Sequence, residues 1–190
     1  MNFVQMCCIH PALVPGSTTV RVPDGGSDGY EVISTGGVSI AGTTYYLIRG
    51  SLYLSYTRFL PIIPVGAHIL TAKVTFVGVY NAAAITGSIQ AADTADALAL
   101  TGAVGEISSL PRTSAAVPWP FTNPWNNHES YDSPDISPVI QELVNSFGAY
   151  DGTRGLAIII GPETGTSQRM AHAKDEGTNL EATLTITYES

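Results

Sequence analysis

Trp119, Phe121, Trp125 and Tyr131 crowd into one short stretch of the chain, and aromatic rings at that density have two uses. Held on a surface, their apolar faces stack on sugar rings or on a partner protein; folded inward, they plug the end of a β-sandwich. Both uses remain open from the sequence. The segment carrying the first three, VPWPFTNPWNN, holds three prolines and reads as a loop crossing a rim. Glu129, Asp132 and Asp135 follow on the approach to a helix. Three carboxylates there can hold a hard cation together with backbone carbonyls, although capping and solvation account for the same residues.

The other reactive side chains show no catalytic spacing. His10, His68, His128 and His172 are scattered and read as surface or rim histidines. Cys7 and Cys8 are adjacent, and a disulfide between neighbours needs a strained ring and closes no useful loop. They read as two reduced thiols in an arm or edge strand, or as partners for a neighbouring chain. With His10 they supply too few well-spaced ligands for a metal. The chain contains no phosphate-cradling GxxxxGK, no dinucleotide fingerprint after a strand, no HExxH and no GxSxG. A carboxylate pair for glycoside cleavage is defined by its separation in space, and nothing singles one out. The expectation is a protein with no catalytic residues, no cofactor and no metal, built for binding or assembly.

Composition points the same way. Of 190 residues, 44% are hydrophobic and only 13% charged, about half the charged share usual for a soluble domain. Such a surface is either neutral and polar or covered in part by other subunits. Sixteen acidic against eight basic residues leave a net charge of −8. That charge repels phosphate backbones and anionic membranes, so neither nucleic acid nor membrane is an expected partner. No apolar run approaches the ~20 residues of a membrane span. The start, MNFVQMCCIHPALVPG, has neither a basic n-region nor an unbroken apolar h-region, so no secretory signal is expected.

A series of short strands must position these residues. The stretch Tyr56–Tyr80 reads as two strands separated by LPIIPVGAH, whose prolines and glycine stop either half from continuing. In its second half Leu70, Ala72, Val74 and Phe76 alternate with Thr71, Lys73 and Thr75, the mark of a half-buried strand. TTYYLIRGSLYLSYTRF upstream reads as two strands, or one strand bulged at Gly50. Arg58 within it either points inward to a carboxylate or faces outward at an edge. ITGSIQAA reads as a strand with Ile85, Gly87, Ile89 and Ala91 on one face, and TADALAL as a short helix or loop.

SPDISPVIQELVNSFG is the one convincing helix, with Ser137 as cap, Pro138 at the first helical position and Gly148 as stop. Ile140, Leu143, Val144 and Phe147 form its buried stripe, leaving Gln141, Glu142 and Asn145 to water. RGLAIIIG lacks alternation and reads as a strand covered on both faces, while NLEATLTITYES turns Leu184, Ile186 and Tyr188 to one side. Residues 1–18 read as an N-terminal arm. Residues 19–190 read as one all-β domain, a jelly-roll-type β-sandwich with one short amphipathic helix.

Several of these segments, in this order, resemble a known family. SLYLSYTRFLPIIPVGAHILTAKVTFVGVY, VPWPFTNPWNN, DISPVIQELVNSFG, RGLAIIIG and LEATLTITY are similar to the DNRLRE-type jelly-roll modules, over roughly residues 20–188. The helix and the final strand are the most specific parts. Leu60 stands where the family often has an acidic residue, and Leu143 where a tryptophan is frequent. The resemblance implies a carbohydrate-binding-module-like sandwich, found as an accessory of secreted enzymes and surface proteins and, in similar form, in virion proteins of tailed phages.

With the low charge and no expected secretory signal, that resemblance leads to one expectation. The chain is expected to be a non-enzymatic structural virion protein of a bacteriophage, assembled in the host cytoplasm as a capsid decoration, fibre-base or tail-associated component. Its expected partners are other virion subunits engaged through the N-terminal arm, further copies of itself in a homo-oligomer, and a host-surface glycan. The alternative is a carbohydrate-binding module or surface adhesin, with Trp119, Trp125 and Tyr131 stacking on sugar rings.

Overall fold

A computed structural model of the chain describes residues 14–40, 42–79, 84–164, 167–177 and 179–190. Cys7, Cys8, His10 and the rest of the arm up to residue 13 lie outside the described residues. The first strands are β1 (Pro15–Arg21), β2 (Asp28–Val32), β3 (Gly37–Ser39), β4 (Thr44–Arg49), β5 (Tyr53–Phe59), β6 (Ile62–Ile63) and β7 (His68–Val77). Then come β8 (Ile85–Ala91), β9 (Val117–Phe121), β10 (Ser130–Asp132) and the helix α1 (Ser137–Phe147). The chain closes with β11 (Tyr150–Asp151), β12 (Leu156–Thr164), β13 (Gln168–His172) and β14 (Thr183–Glu189).

One layer is a six-stranded sheet in the order β3-β2-β5-β12-β8-β9. The other runs β1-β14-β7-β10, and a bridge between Gly78 and Ala171 links it to the β13-β4 pair. Leu47, Phe59, Val74, Phe76, Ile89, Ile160, Leu184 and Ile186 are buried in the common core, so the fold is an all-β sandwich. Each side chain of that size removed from water stabilises the fold by about 1.5–3 kcal/mol before the cost of ordering the chain. No described helix is long and apolar enough to cross a membrane.

The strand pairings explain where the sequence pattern holds and where it breaks. β1 pairs with β14 along its whole length, so Pro15–Thr18, read as arm, are strand. Gly50 takes φ 51° and divides TTYYLIRGSLYLSYTRF into β4 and β5. The two halves pair in different sheets, β4 with β13 and β5 with β2 and β12. In β7, Ala72, Val74 and Phe76 are buried as their alternation requires, but Leu70 is 40% exposed. The register with β14 skips Leu70, so Ile69 opposite Tyr188 takes the inward position instead. That extra residue is a β-bulge, and it reverses the phase of the strand's first turn of alternation.

VPWPF, read as loop, is the edge strand β9, paired only with β8. Its two prolines stand two residues apart. Both missing donors therefore fall on one side of the strand, the side away from β8, where no ladder bond is lost. β8 buries Ile85, Gly87, Ile89 and Ala91 as its pattern dictates.

α1 buries Val139, Ile140, Leu143 and Val144, and Gly148 ends it at φ 76°. Its start differs from the expectation. Ile136 occupies the cap position, Ser137 is already helical, and the Asp135 carboxylate accepts from the Ser137 N–H and hydroxyl and from the Ala72 N–H. Burial works against that carboxylate, but those hydrogen bonds outweigh it and hold its pKa below the ordinary range. Gln141 and Glu142 do not simply face water. Gln141 bridges the Ile69 N–H and the Ala67 carbonyl, and Glu142 accepts from the Ser114 and Ala115 N–H groups. The helix is thereby stitched to β7 and to the segment before β9.

β12 is covered on both faces, as its unbroken apolar run implies. Leu156, Ile158 and Ile160 belong to the core between the sheets, whereas Ala157 and Ile159 pack with Leu54, Tyr56, Leu100 and Ile107 on the far side. The cover on that far side is the long connection between β8 and β9.

Candidate functional site

The four aromatic residues singled out from the sequence do come together. Trp119 and Phe121 project from β9, Trp125 from the following turn and Tyr131 from β10. Trp119 lies 4.2 Å from Phe121 between ring centroids, and Trp125 stacks on Tyr131 at 4.5 Å with the planes 4° apart. Their faces are occupied by one another. Trp119, Phe121 and Trp125 retain 6%, 3% and 4% exposure, and only Tyr131 is half-buried. A groove of about 180 Å³ remains beside them, below the usual size of a small-molecule site.

Beneath this cluster the Arg169 side chain is fully buried, its guanidinium over the Phe121 ring at 5.7 Å. It donates to the carbonyls of Phe121, Asn123 and Gln168, while its Nε has no hydrogen bond to a described residue. Burial lowers the guanidinium pKa. Three carbonyl dipoles replace a carboxylate here and pin the turn between β9 and β10.

The acidic grouping on the approach to α1 is divided among separate tasks. Glu129 accepts from the Tyr131 hydroxyl and the Asn126 amide, Asp132 from the Thr75 hydroxyl, and Asp135 serves the helix start. Among the described residues no three His, Cys, Asp or Glu side chains are grouped to hold a metal ion. Two histidines that spacing left unrelated do meet. His172, 5% exposed and so not a surface residue, stacks against His128 at 4.7 Å. Its Nε2 contacts Asn127 Oδ1 at 2.9 Å and its Nδ1 lies 3.7 Å from Glu176 Oε2. Burial lowers the pKa of this imidazole, against the pull of Glu176.

A larger concavity lies elsewhere, at the strap, residues 92–116, that joins β8 to β9. A connection so much longer than the usual ~5 residues, with no regular element, is most often functional or disordered. This one is held down. Glu31 on β2 is fully buried, and its Oε2 accepts from the Ile107 and Ser108 N–H groups at 2.8 Å each. From β5 the Tyr56 hydroxyl donates to the Leu98 carbonyl, and Arg58 Nε donates to the Ala97 carbonyl at 2.6 Å.

Arg58 thus points inward, with Asp24 3.9 Å from its guanidinium. Burial pushes the Tyr56 phenol well above its ordinary pKa, so it remains a donor. Asp96 accepts from Gly155 N–H, Arg154 donates to Ala95, and the Ala97 N–H donates to the Gly155 carbonyl. Gly155 is glycine for a visible reason, since a Cβ there would collide with the Ala97 carbonyl oxygen.

Within the strap, Glu106 turns back and accepts from the N–H groups of Thr101, Gly102 and Ala103. The result is a cavity of about 470 Å³ lined by Tyr56, Asp96, Leu98, Leu100, Glu106 and Leu110 among others. Sequence reasoning missed it because TADALALTGAVGEISSL carries no periodicity. Its one signal was its length between two strands.

No family model, no curated protein and no solved structure matches the chain.

Proposed function

We propose that the protein is a non-enzymatic structural component of a bacteriophage particle, a decoration, fibre-base or tail-associated subunit that assembles with other virion proteins and with copies of itself. The observation that carries this reading is the placement of its exposed apolar side chains. Among the described residues eight large ones stand out of the surface, and they are spread over several places. Ile33 and Leu52 are joined by a backbone hydrogen bond, and Ile62 and Val65 flank one turn. Leu98 and Val104 line the strap cavity, and Val14 adjoins Pro15, which shares a shallow groove with Leu70. On a chain with only 13% charged residues, exposed apolar side chains at several places suit a subunit with several neighbours.

The strand order supports the finer architectural reading. Numbering β1, β5, β7, β8, β9, β10, β12 and β14 as one to eight, the two sheets run 1-8-3-6 and 2-7-4-5. We read this as a jelly roll of two interlocked Greek keys, with β2, β3, β4, β6, β11 and β13 as additions. The carbohydrate-binding alternative draws no support from the aromatic cluster, because three of its four rings are spent on packing.

Gradient sedimentation of a lysate, followed by mass spectrometry of purified particles, tests the reading. The protein is expected to sediment with particles at a fixed stoichiometry. Recovery only as a freely diffusing species, with none on particles, would overturn it.

A further inference from the structure

We propose that the strap cavity binds an aliphatic ammonium group, the side-chain chemistry of lysine, with its carbon chain on the apolar floor and its charge at Asp96. The inference does not rest on the virion reading. A volume of about 470 Å³ is within the range of small-ligand sites. Leu100 and Leu110 form apolar floor, and at the rim Leu98 and Val104 are 72% and 80% exposed. A carbon chain laid across them removes from water apolar surface that the free protein leaves wet.

The lining also selects a sign of charge. Among the described residues that line it, Asp96 and Glu106 are the only carboxylates and none is basic. Of the nearby guanidinium groups, Arg58 donates to the Ala97 carbonyl and the Ser27 hydroxyl and lies beside Asp24, and Arg154 donates to the carbonyls of Ala95, Phe147 and Ala149. Both Glu106 oxygens are taken up by the strap's own N–H groups, whereas Asp96 uses Oδ1 for Gly155 and has no hydrogen bond from a described residue at Oδ2. Asp96 is therefore the carboxylate with an acceptor to spare. An anion in the cavity would meet two negative charges, and a neutral chain would shield Asp96 from water with nothing in return. The strap is fastened before any ligand arrives, by Glu31, Tyr56, Arg58 and Asp96, so little ordering cost falls on binding.

An aliphatic ammonium reaches such a site either as a lysine side chain of a partner protein or as a free amine. Titration of the intact protein at low salt with n-hexylammonium, n-hexanol and n-hexanoate, read by amide chemical shifts across residues 94–110, tests the proposal. Hexylammonium is expected to saturate, hexanol to bind about two- to fivefold more weakly, and hexanoate not at all. Asp96→Asn keeps an acceptor for Gly155 and is expected to weaken hexylammonium about two- to fivefold while leaving hexanol unchanged. A capped Leu-Lys-Leu peptide binding more tightly than hexylammonium assigns the site to a polypeptide, and weaker binding assigns it to a free amine. Equal binding of hexanol and hexylammonium, no saturation, shifts confined to other segments, or no effect of Asp96→Asn would overturn it. The ligand series on the wild-type protein decides the matter if the variant does not fold.

Discussion

The aromatic end of the sandwich and the strap across its six-stranded face use opposite materials. At the aromatic end, large rings fill space and a buried guanidinium fastens the turn to backbone carbonyls. In the strap, a segment without aromatic residues follows an irregular path, and side chains on neighbouring strands hold its backbone N–H and C=O groups. The first arrangement leaves a groove of only about 180 Å³ and the second a cavity of about 470 Å³. Conspicuous side chains were drawn into packing because burying them gains the most. The open site was left to a segment whose own side chains could not fill it.

Substitutions at the two regions should therefore behave differently. Trp125→Ala is expected to have the largest effect, a loss of about 3–5 kcal/mol in denaturant unfolding, as for other large-to-small core changes. It should leave amide shifts in residues 94–110 unchanged. A loss under about 1 kcal/mol would show that Trp125 is not part of the packing.

Glu31→Ala comes next. It strands the Ile107 and Ser108 N–H groups and should cost about 2–3 kcal/mol, with faster hydrogen exchange at those two amides and not at Trp119 or Phe121. Uniform destabilisation without local exchange would separate Glu31 from the strap.

Asp28, three residues earlier on the same strand, gives a control for a buried carboxylate that does not hold the strap. It accepts from the Lys174 N–H, and burial pushes its pKa up to about 7 from 3.8. Between those values the native state binds a proton that the unfolded chain has released, so stability falls as pH rises through the window. Asp28→Asn should flatten that fall between about pH 4 and pH 7 and be more stable than wild type at the upper end by about 1–3 kcal/mol. Parallel stability–pH curves for the two proteins would contradict the assignment. Smallest of all, Leu98→Ser at the cavity rim should change stability by no more than about 0.5 kcal/mol while weakening hexylammonium and hexanol alike.

The legible parts of the fold are those where a repeated local pattern meets a single environment. Leu184, Ile186 and Tyr188 alternate against one core, and Leu156–Ile160 are apolar throughout because both faces are covered. Leu70 misled because a bulge is a property of two strands, and β7 alone carries no mark of the skipped partner. Ser137 misled because the helix starts at Ser137 itself, with Ile136 at the cap position, and the Asp135 carboxylate, two residues earlier, accepts from the Ser137 N–H. The aromatic cluster was legible as a cluster, but whether its rings face inward depends on β9 being a strand, which its prolines disguise. The strap site was not legible, because Glu31, Tyr56, Arg58 and Gly155 converge on it from β2, β5 and the turn before β12.

Hydrogen–deuterium exchange on the protein in purified particles, compared with the isolated protein, tests the account most directly. Protection should rise around Val14 and Leu70, Ile33 and Leu52, Ile62 and Val65, and Leu98 and Val104, with residues 117–131 unchanged. Protection confined to 117–131, or no difference between the two states, would contradict it.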